Sequence, residues 1–466
     1  MPNSEKMVTI LSSHTVVPCE LTPTGKFSLS NCDNIKLTSH APLLYVYKPN
    51  KNGSLGNPID TMRNSLSQAL VHYYLLAGRL SCTEGGRLEV HFNSMGADLF
   101  EAFCQTGLDE LGDFEPTQIL QDLFPKIDYG CPTQEIPLLM VQLTSFPCGG
   151  LTVGVAISRA VVDGLSAMRF VNSWAKLSKG DKLDSSLLPF HNRTLLQSSK
   201  QHTKLRFDHV EFHPPPRWIG DSYSRTEQNV ETSVAVLKIT KHQIEKLKKE
   251  AMNINTNNKA MAPKRPYSSF EVISGHLWRC LCKAFYVGNG YQPTRLTILV
   301  NCRNRLKPPL PDGYFGNATF PTVTHTCQFN DLIDKPFSYA VCKIREAIEK
   351  MADEYVRSAL DFIATQKDMN LVRTSFHYPE GYKDGNPNLF IVSWMNFPNN
   401  DSDFGWGNPI YMDPGSINSQ GKVFIMQNCV EDGSLIIAIC LKSTHINAFN
   451  KFFYEDIKEE LPNSKL

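Results

Sequence analysis

From about Lys179 to Arg225 the hydrophobic periodicity that runs through the rest of the sequence gives way to a polar, proline-bearing stretch that includes Pro214-Pro215-Pro216. A lapse of that kind marks a linker. It divides a chain of 466 residues into halves of similar size. Single hydrophobic cores stop growing at roughly 250–300 residues, so each half needs its own. The sequence therefore predicts two lobes, 1–185 and 226–466, joined by a crossover over 186–225.

Within each half, strand and helix patterns alternate irregularly, which argues for α+β lobes of mixed sheet with flanking helices rather than repeated βα units. Leu88, Val90 and Phe92 alternate as a half-buried strand. The stretches "IPLLMVQLTSF" and "LTVGVAI" flank Pro147-Cys148-Gly149-Gly150 and read as a hairpin. Asp60 or Thr61 is placed to cap a helix that Gly78 closes. In the second half, Thr240, Ser268 or Ser269, and Thr444 are the candidate caps. Phe337, Val341, Ile344, Ile348 and Met351 recur at helical spacing, and "LFIVSW", "KVFIMQN" and "SLIIAICL" read as strands.

Charge is balanced, with 47 basic and 46 acidic residues, so nothing points to nucleic acid or a membrane surface as partner. No apolar run approaches the roughly 20 residues that span a bilayer. The opening "MPNSEKMVTILSSHTVVP" is too polar for a secretory leader, and the 13 scattered cysteines then read as reduced thiols. Cys280 and Cys282 fall in a helical pattern, which disfavours a zinc knuckle, and Asn317-Ala318-Thr319 reads as a fortuitous match to a glycosylation acceptor. No phosphate-cradling loop, metal cluster or serine elbow stands out, so neither metal nor resident cofactor is expected, and the chain is expected to be a monomer. It ends in Ser464-Lys465-Leu466, the tripeptide read by the peroxisomal import receptor. Peroxisomal import is the expectation, with cytoplasmic residence otherwise.

The segment "AISRAVVDGLSAMRF" runs from strand through loop to helix, with Asp163-Gly164 at the helix start. Four residues ahead of the aspartate, where catalytic chemistry would want a histidine, stands Arg159. Arginine stays protonated at neutral pH, so it is no base. Its planar fork suits a carboxylate or a developing oxyanion.

Three stretches together carry a family resemblance: "SRAVVDGLSAMRFVNSW", "ILVNCRNRLKPPLPDGYFGNA" and "SDFGWGNP". The sequence resembles the plant BAHD acyltransferases, closest to the hydroxycinnamoyl- and polyamine-transferase branch. These move an acyl group from a coenzyme A thioester to an alcohol or amine. The resemblance implies a chloramphenicol-acetyltransferase-like pair of lobes with the active-site channel between them. It implies that Asp163 is structural and pairs with Arg303 or Arg305, and that Asp403, Gly405, Trp406 and Gly407 shape the lobes. It places Trp394 near the oxyanion, although Val392 stands where relatives offer a threonine hydroxyl, and it puts His40, Ser158 and Gly164 against substrate. Arg159 departs from the family's histidine; His40 is the first candidate for a substitute base.

An acceptor deprived of its base should be one that needs little help, and a neutral amine is already nucleophilic. The reading is N-acylation of an amine or amino acid with a small anionic acyl-CoA. It resembles the family reaction that joins oxalyl-CoA to L-2,3-diaminopropionate. Shikimate is disfavoured, since no arginine in "FHYPEGYKDGNPN" matches the one that shikimate-using relatives supply. Hydroxycinnamoyl transfer to polyamines, an inactive relative, and a lyase or condensation reaction remain open on the sequence.

Overall fold

The structure, a computed structural model, describes residues 7–49, 57–112, 118–198, 205–219, 231–253, 265–286, 290–377, 386–397, 401–415, 417, 419–428 and 432–458. Ser464, Lys465 and Leu466, the tripeptide expected to act as an import signal, lie outside the described residues. In the first half the strands are β1 (Val8–Val16), β2 (Gly25–Ser28), β3 (His40–Tyr47), β4 (Arg79–Cys82), β5 (Leu88–Phe92), β6 (Ala97–Cys104), β7 (Leu139–Ser145) and β8 (Leu151–Ser158). In the second they are β9 (Thr232–Ile239), β10 (Pro293–Thr294), β11 (Leu296–Asn301), β12 (Thr319–Val323), β13 (Cys327–Gln328), β14 (Leu389–Trp394), β15 (Tyr411–Asp413), β16 (Lys422–Gln427) and β17 (Leu435–Lys442). Two six-stranded mixed sheets result, ordered β1-β6-β7-β8-β3-β15 and β12-β11-β14-β16-β17-β9.

Side-chain alternation on the second sheet explains how the lobes meet. Ile391, Val423, Ile425, Ile437 and Ile439 are fully buried in a core shared with the helices Ser269–Phe285 and Phe337–Glu349. Their even-numbered neighbours Trp394, Phe424, Met426, Ala438 and Cys440 instead join the first lobe's core. One face of this sheet is therefore covered by its own helices and the other by the opposite lobe. Any channel between lobes is lined by the even-numbered set.

The lobe boundary differs from the sequence expectation at one strand. β15 belongs to the half expected to form the second lobe, yet it pairs antiparallel with β3 of the first sheet, Tyr411 opposite Val46 and Asp413 opposite Leu44. Three residues carry too little periodicity to announce such a crossing. The described residues of the crossover are also firmly seated. Arg193, buried, donates to Asp33 (3.2 Å) and to the Val161 carbonyl (3.0 Å), and buried His209 bonds Glu211 and Ser358, both at 2.9 Å.

Helix starts follow capping chemistry. Thr240 with Gln243 and Ser268 with Glu271 form reciprocal capping boxes. The helix Pro58–His72 is capped by Asn57 with Pro58 at its first position, one turn ahead of the expected Asp60 or Thr61. The helix Ser443–Glu455 continues from β17 without a side-chain cap, so Thr444 lies inside it. Glu271 does more than cap. It is almost fully buried and takes paired bonds from Arg345, both at 3.0 Å, and two from Arg265 at 3.0 and 3.3 Å.

Burial alone would raise the Glu271 pKa, but these partners outweigh it and hold the carboxyl at about 2, against an ordinary 4.5. A depressed folded-state value means stability that is present above about pH 4.5 and lost as pH falls toward 2. Glu271→Gln should therefore be less stable than wild type at pH 7 and show a flatter stability curve through that acidic window. Urea midpoints measured across the pH series check both.

Candidate active site

β8 ends at Ser158, and the chain turns tightly there, the Val161 and Val162 amides both donating to the Ser158 carbonyl (3.1 and 3.2 Å). Asp163 then opens the helix Gly164–Ser178 as its N-cap, accepting from the Ser166 amide. Its carboxylate is taken up entirely within the protein. Arg303, from the loop after β11, grips it with two bonds of 2.8 and 2.9 Å, and the Ala318 amide adds a third at 2.9 Å. Burial pushes the Asp163 pKa up; Arg303 outweighs that and leaves it below the usual carboxylate range. Asp163 is a clamp between lobes, with no lone pair left for substrate.

Of the two arginines expected to pair with Asp163, the structure uses Arg303. Arg305 instead donates to the Ile348 and Met351 carbonyls (2.9 and 3.1 Å), tying down the end of the helix Phe337–Glu349. Gly164 is needed for close approach: a Cβ there would begin 3.0 Å from the Phe397 ring and 3.7 Å from Trp394 Nε1. Gly164→Ala is expected to cost about 1–3 kcal/mol by overpacking, measured by denaturant unfolding.

Arg159 lies at the seam. Its amide donates to the Ser39 carbonyl (3.0 Å), its Nε to the His40 carbonyl (3.1 Å), and its own carbonyl accepts from Asn317 Nδ2 (3.0 Å). The side chain is half-buried. Its charge is felt in both lobes, disfavouring protonation of His40 in the first and of Lys422 in the second. Asn317 is buried and bonded through its amide group to Asp33 and Arg159, so it cannot carry a glycan.

His40 sits opposite Ser158 across the β3–β8 pair. Its Nε2 faces the Pro137 carbonyl at 2.8 Å, which only accepts, so the ring proton is on Nε2. The remaining lone pair, on Nδ1, is 3.1 Å from the Tyr129 hydroxyl, which also accepts from the His40 amide at 2.9 Å. Burial further disfavours the imidazolium. The ring's proton-accepting nitrogen faces Tyr129, which disfavours His40 as the substitute base. Ser158 Oγ is buried with no hydrogen-bond partner among the described residues.

Trp394 ends β14, nearly buried, stacked on Phe397 at 5.7 Å and edge-on to Phe424 at 5.4 Å. The Asp-Phe-Gly-Trp-Gly segment lies elsewhere. Asp403 Oδ1 accepts from the Gly405 and Gly407 amides, both at 2.8 Å, in a turn that needs positive φ at both glycines (+99° and +90°). It thereby presents Phe404 to Trp174 (4.9 Å) and Trp406 to Tyr47 (5.4 Å). Trp174 is ten residues along the helix from Gly164, roughly 15 Å at 1.5 Å per residue. Phe404 and Trp406 thus pack into the first lobe's core.

Sequence reasoning passed over Lys422, which opens β16 on the interlobe face. The alternation of "KVFIMQ" was the available signal, since it groups Lys422 with Phe424 and Met426. Elsewhere, His276, Cys280 and Asp456 bring ligand-type atoms within 4.8 Å of one another. His276 Nε2 donates to the Phe453 carbonyl and Asp456 is paired with Lys283, so both groups serve the helix packing. No helix among the described residues is long and apolar enough to cross a membrane.

Two mixed-sheet lobes, clamped by a buried aspartate–arginine pair around a seam, define a coenzyme A acyltransferase fold. The same architecture is found in vinorine synthase, whose crystal structure superposes with a TM-score of 0.70 at 21% identity, covering 95% of this chain and 96% of that one. The Transferase family model matches residues 6–456. The chain is 44% identical to hydroxycinnamoyl-CoA:piscidic acid hydroxycinnamoyltransferase of Actaea racemosa, over 97% of this chain and 100% of that protein. It is 37% identical to shikimate O-hydroxycinnamoyltransferase of Nicotiana tabacum, over 96% and 99% of the two chains. The chain belongs to the Transferase family, the BAHD acyltransferases, and is an acyltransferase that moves groups other than aminoacyl groups.

Proposed function

We propose that the protein transfers an acyl group from a coenzyme A thioester to an amine, with a carboxylate of one reactant seated against Arg159. The observation that carries this reading is the fixed charge of Arg159, anchored through Nε to the His40 carbonyl just past the end of β8. Beside this fixed charge at a half-buried seam, a carboxylate on a reactant is electrostatically favoured. A guanidinium takes a carboxylate in a planar fork.

Two of the relatives bear the names of acids as acceptors, piscidic acid and shikimate, which supports a carboxylate on the acceptor and a hydroxycinnamoyl thioester as donor. Oxalyl-CoA with L-2,3-diaminopropionate is the variant in which the donor also carries the charge. Coenzyme A enters as co-substrate and leaves as the free thiol. In this reading Trp394, close to the helix start, and Arg159 stabilise the oxyanion.

The test follows thiol release from p-coumaroyl-CoA and from oxalyl-CoA, each offered L-2,3-diaminopropionate or spermidine, an amine that carries no carboxyl group. Release that requires a carboxylate on donor or acceptor is the expected result. Equal turnover of p-coumaroyl-CoA with spermidine would contradict the anionic site, and product formed without any thioester would contradict acyl transfer in favour of a lyase or condensation reaction.

A further inference from the structure

An amine that attacks a thioester must shed a proton, and neither first-lobe residue expected at the site is placed to take it: Arg159 is a permanent cation and His40 Nδ1 already faces the Tyr129 hydroxyl. Lys422 faces the same space from the second lobe. It stands on the even-numbered face of β16, while Val423 and Ile425 beside it are fully buried in the helix-covered core. Its Nζ lies 5.2 Å from the centre of the Phe424 ring, which packs edge-on to Trp394, which stacks on Phe397 above Gly164. A row of aromatic rings thus runs from Lys422 to the start of the helix that Asp163 caps. Among the described residues no side chain or carbonyl is hydrogen-bonded to this Nζ and no carboxylate pairs with it.

Surface lysines ordinarily carry their charge out to water. This one is held over a ring and beside a fixed cation. We propose that Lys422 is the proton acceptor of the reaction, supplying from the second lobe the base that position 159 of the first lobe lacks. The proposal rests on the acyl-transfer reading. In the step, the acceptor nitrogen attacks the thioester carbonyl carbon, a C–N bond forms, and the nitrogen's proton passes to the neutral Nζ of Lys422. The tetrahedral adduct then collapses, the C–S bond breaks, and the lysine ammonium returns the proton to the departing thiolate. The sum is thioester plus amine giving amide plus free thiol.

The charge state suits this. Burial, and after it the neighbouring Arg159, bring the Lys422 pKa down to about 7, with Cys440 on β17 pulling weakly the other way. The facing residues of β14, Phe390, Val392 and Trp394, carry no charge. Buried lysines with depressed pKa values are established general bases.

The experiment compares wild type, Lys422→Met and Lys422→Arg by the pH dependence of kcat/KM, using p-coumaroyl-CoA and L-2,3-diaminopropionate. Wild type should show an ascending limb with a midpoint near 7. Both variants should lose that limb and fall about 10²–10⁴-fold in rate, the arginine variant included, because it keeps the charge without accepting a proton. Competitive acetylation of wild-type Lys422, read by peptide mass spectrometry, should give a midpoint near 7 without any turnover. Retained activity in Lys422→Arg, an unaltered profile in Lys422→Met, or an acetylation midpoint near that of an ordinary lysine overturns the proposal. A wild-type chain that releases thiol from no thioester sinks the acyl-transfer reading and this role with it; an active wild type with an indifferent Lys422 sinks this role alone.

Discussion

Arg303→Leu is expected to lower stability by about 3–5 kcal/mol, because it strands a carboxylate that the fold has taken out of water. Asp163 is buried and receives two of its bonds from Arg303, which also donates to Ser166 Oγ and the Gly316 carbonyl, each at 2.9 Å. Removing the arginine therefore takes the countercharge from a buried carboxylate and one donor each from a hydroxyl and a carbonyl at the contact between lobes. The double variant Asp163→Asn, Arg303→Leu should be less damaged than the sum of the single changes, since the second change removes the stranded charge. Denaturant midpoints on the four proteins measure the coupling. Additive losses would mean that the pair does not hold the lobes together.

Arg159→Ala carries the second large effect. Truncating one member of a buried charge pair costs about 2–5 kcal/mol, so kcat/KM for a carboxylate-bearing reactant should fall at least about thirty-fold, chiefly through KM. Arg159→Lys should recover little, because an ammonium cannot make the planar fork. Removing the guanidinium also removes the repulsion on Lys422, so the ascending limb of the pH profile should move to higher pH in Arg159→Ala. Arg159→His, by restoring a proton acceptor, should improve transfer to hydroxylated acceptors. Unchanged kinetics in all three would remove Arg159 from the site.

Much of this fold was legible because its signals are local. The turn at Cys148-Gly149 falls between β7 and β8 as their alternation required, and the Ser268–Glu271 capping box opens its helix where the spacing put it. Asp163 and an arginine partner came from the family resemblance, and the geometry chose Arg303 over Arg305 because only one of two arginines a residue apart points back across the seam. Asn57 was passed over because the helix begins at Pro58, a turn before the hydrophobic pattern starts. β15 and Lys422 were hidden for a different reason. A three-residue strand and a lysine at a strand start both read as surface features until the opposite lobe is laid against them.

The central claim is that the seam between the lobes is a cationic site built to receive a negatively charged reactant. It is tested most directly by the ratio of kcat/KM for L-2,3-diaminopropionate to that for its carboxamide, with p-coumaroyl-CoA as donor, in wild type and in Arg159→Ala. A ratio well above one in wild type that collapses toward one in the variant is the result predicted here. The same ratio in both proteins would contradict it.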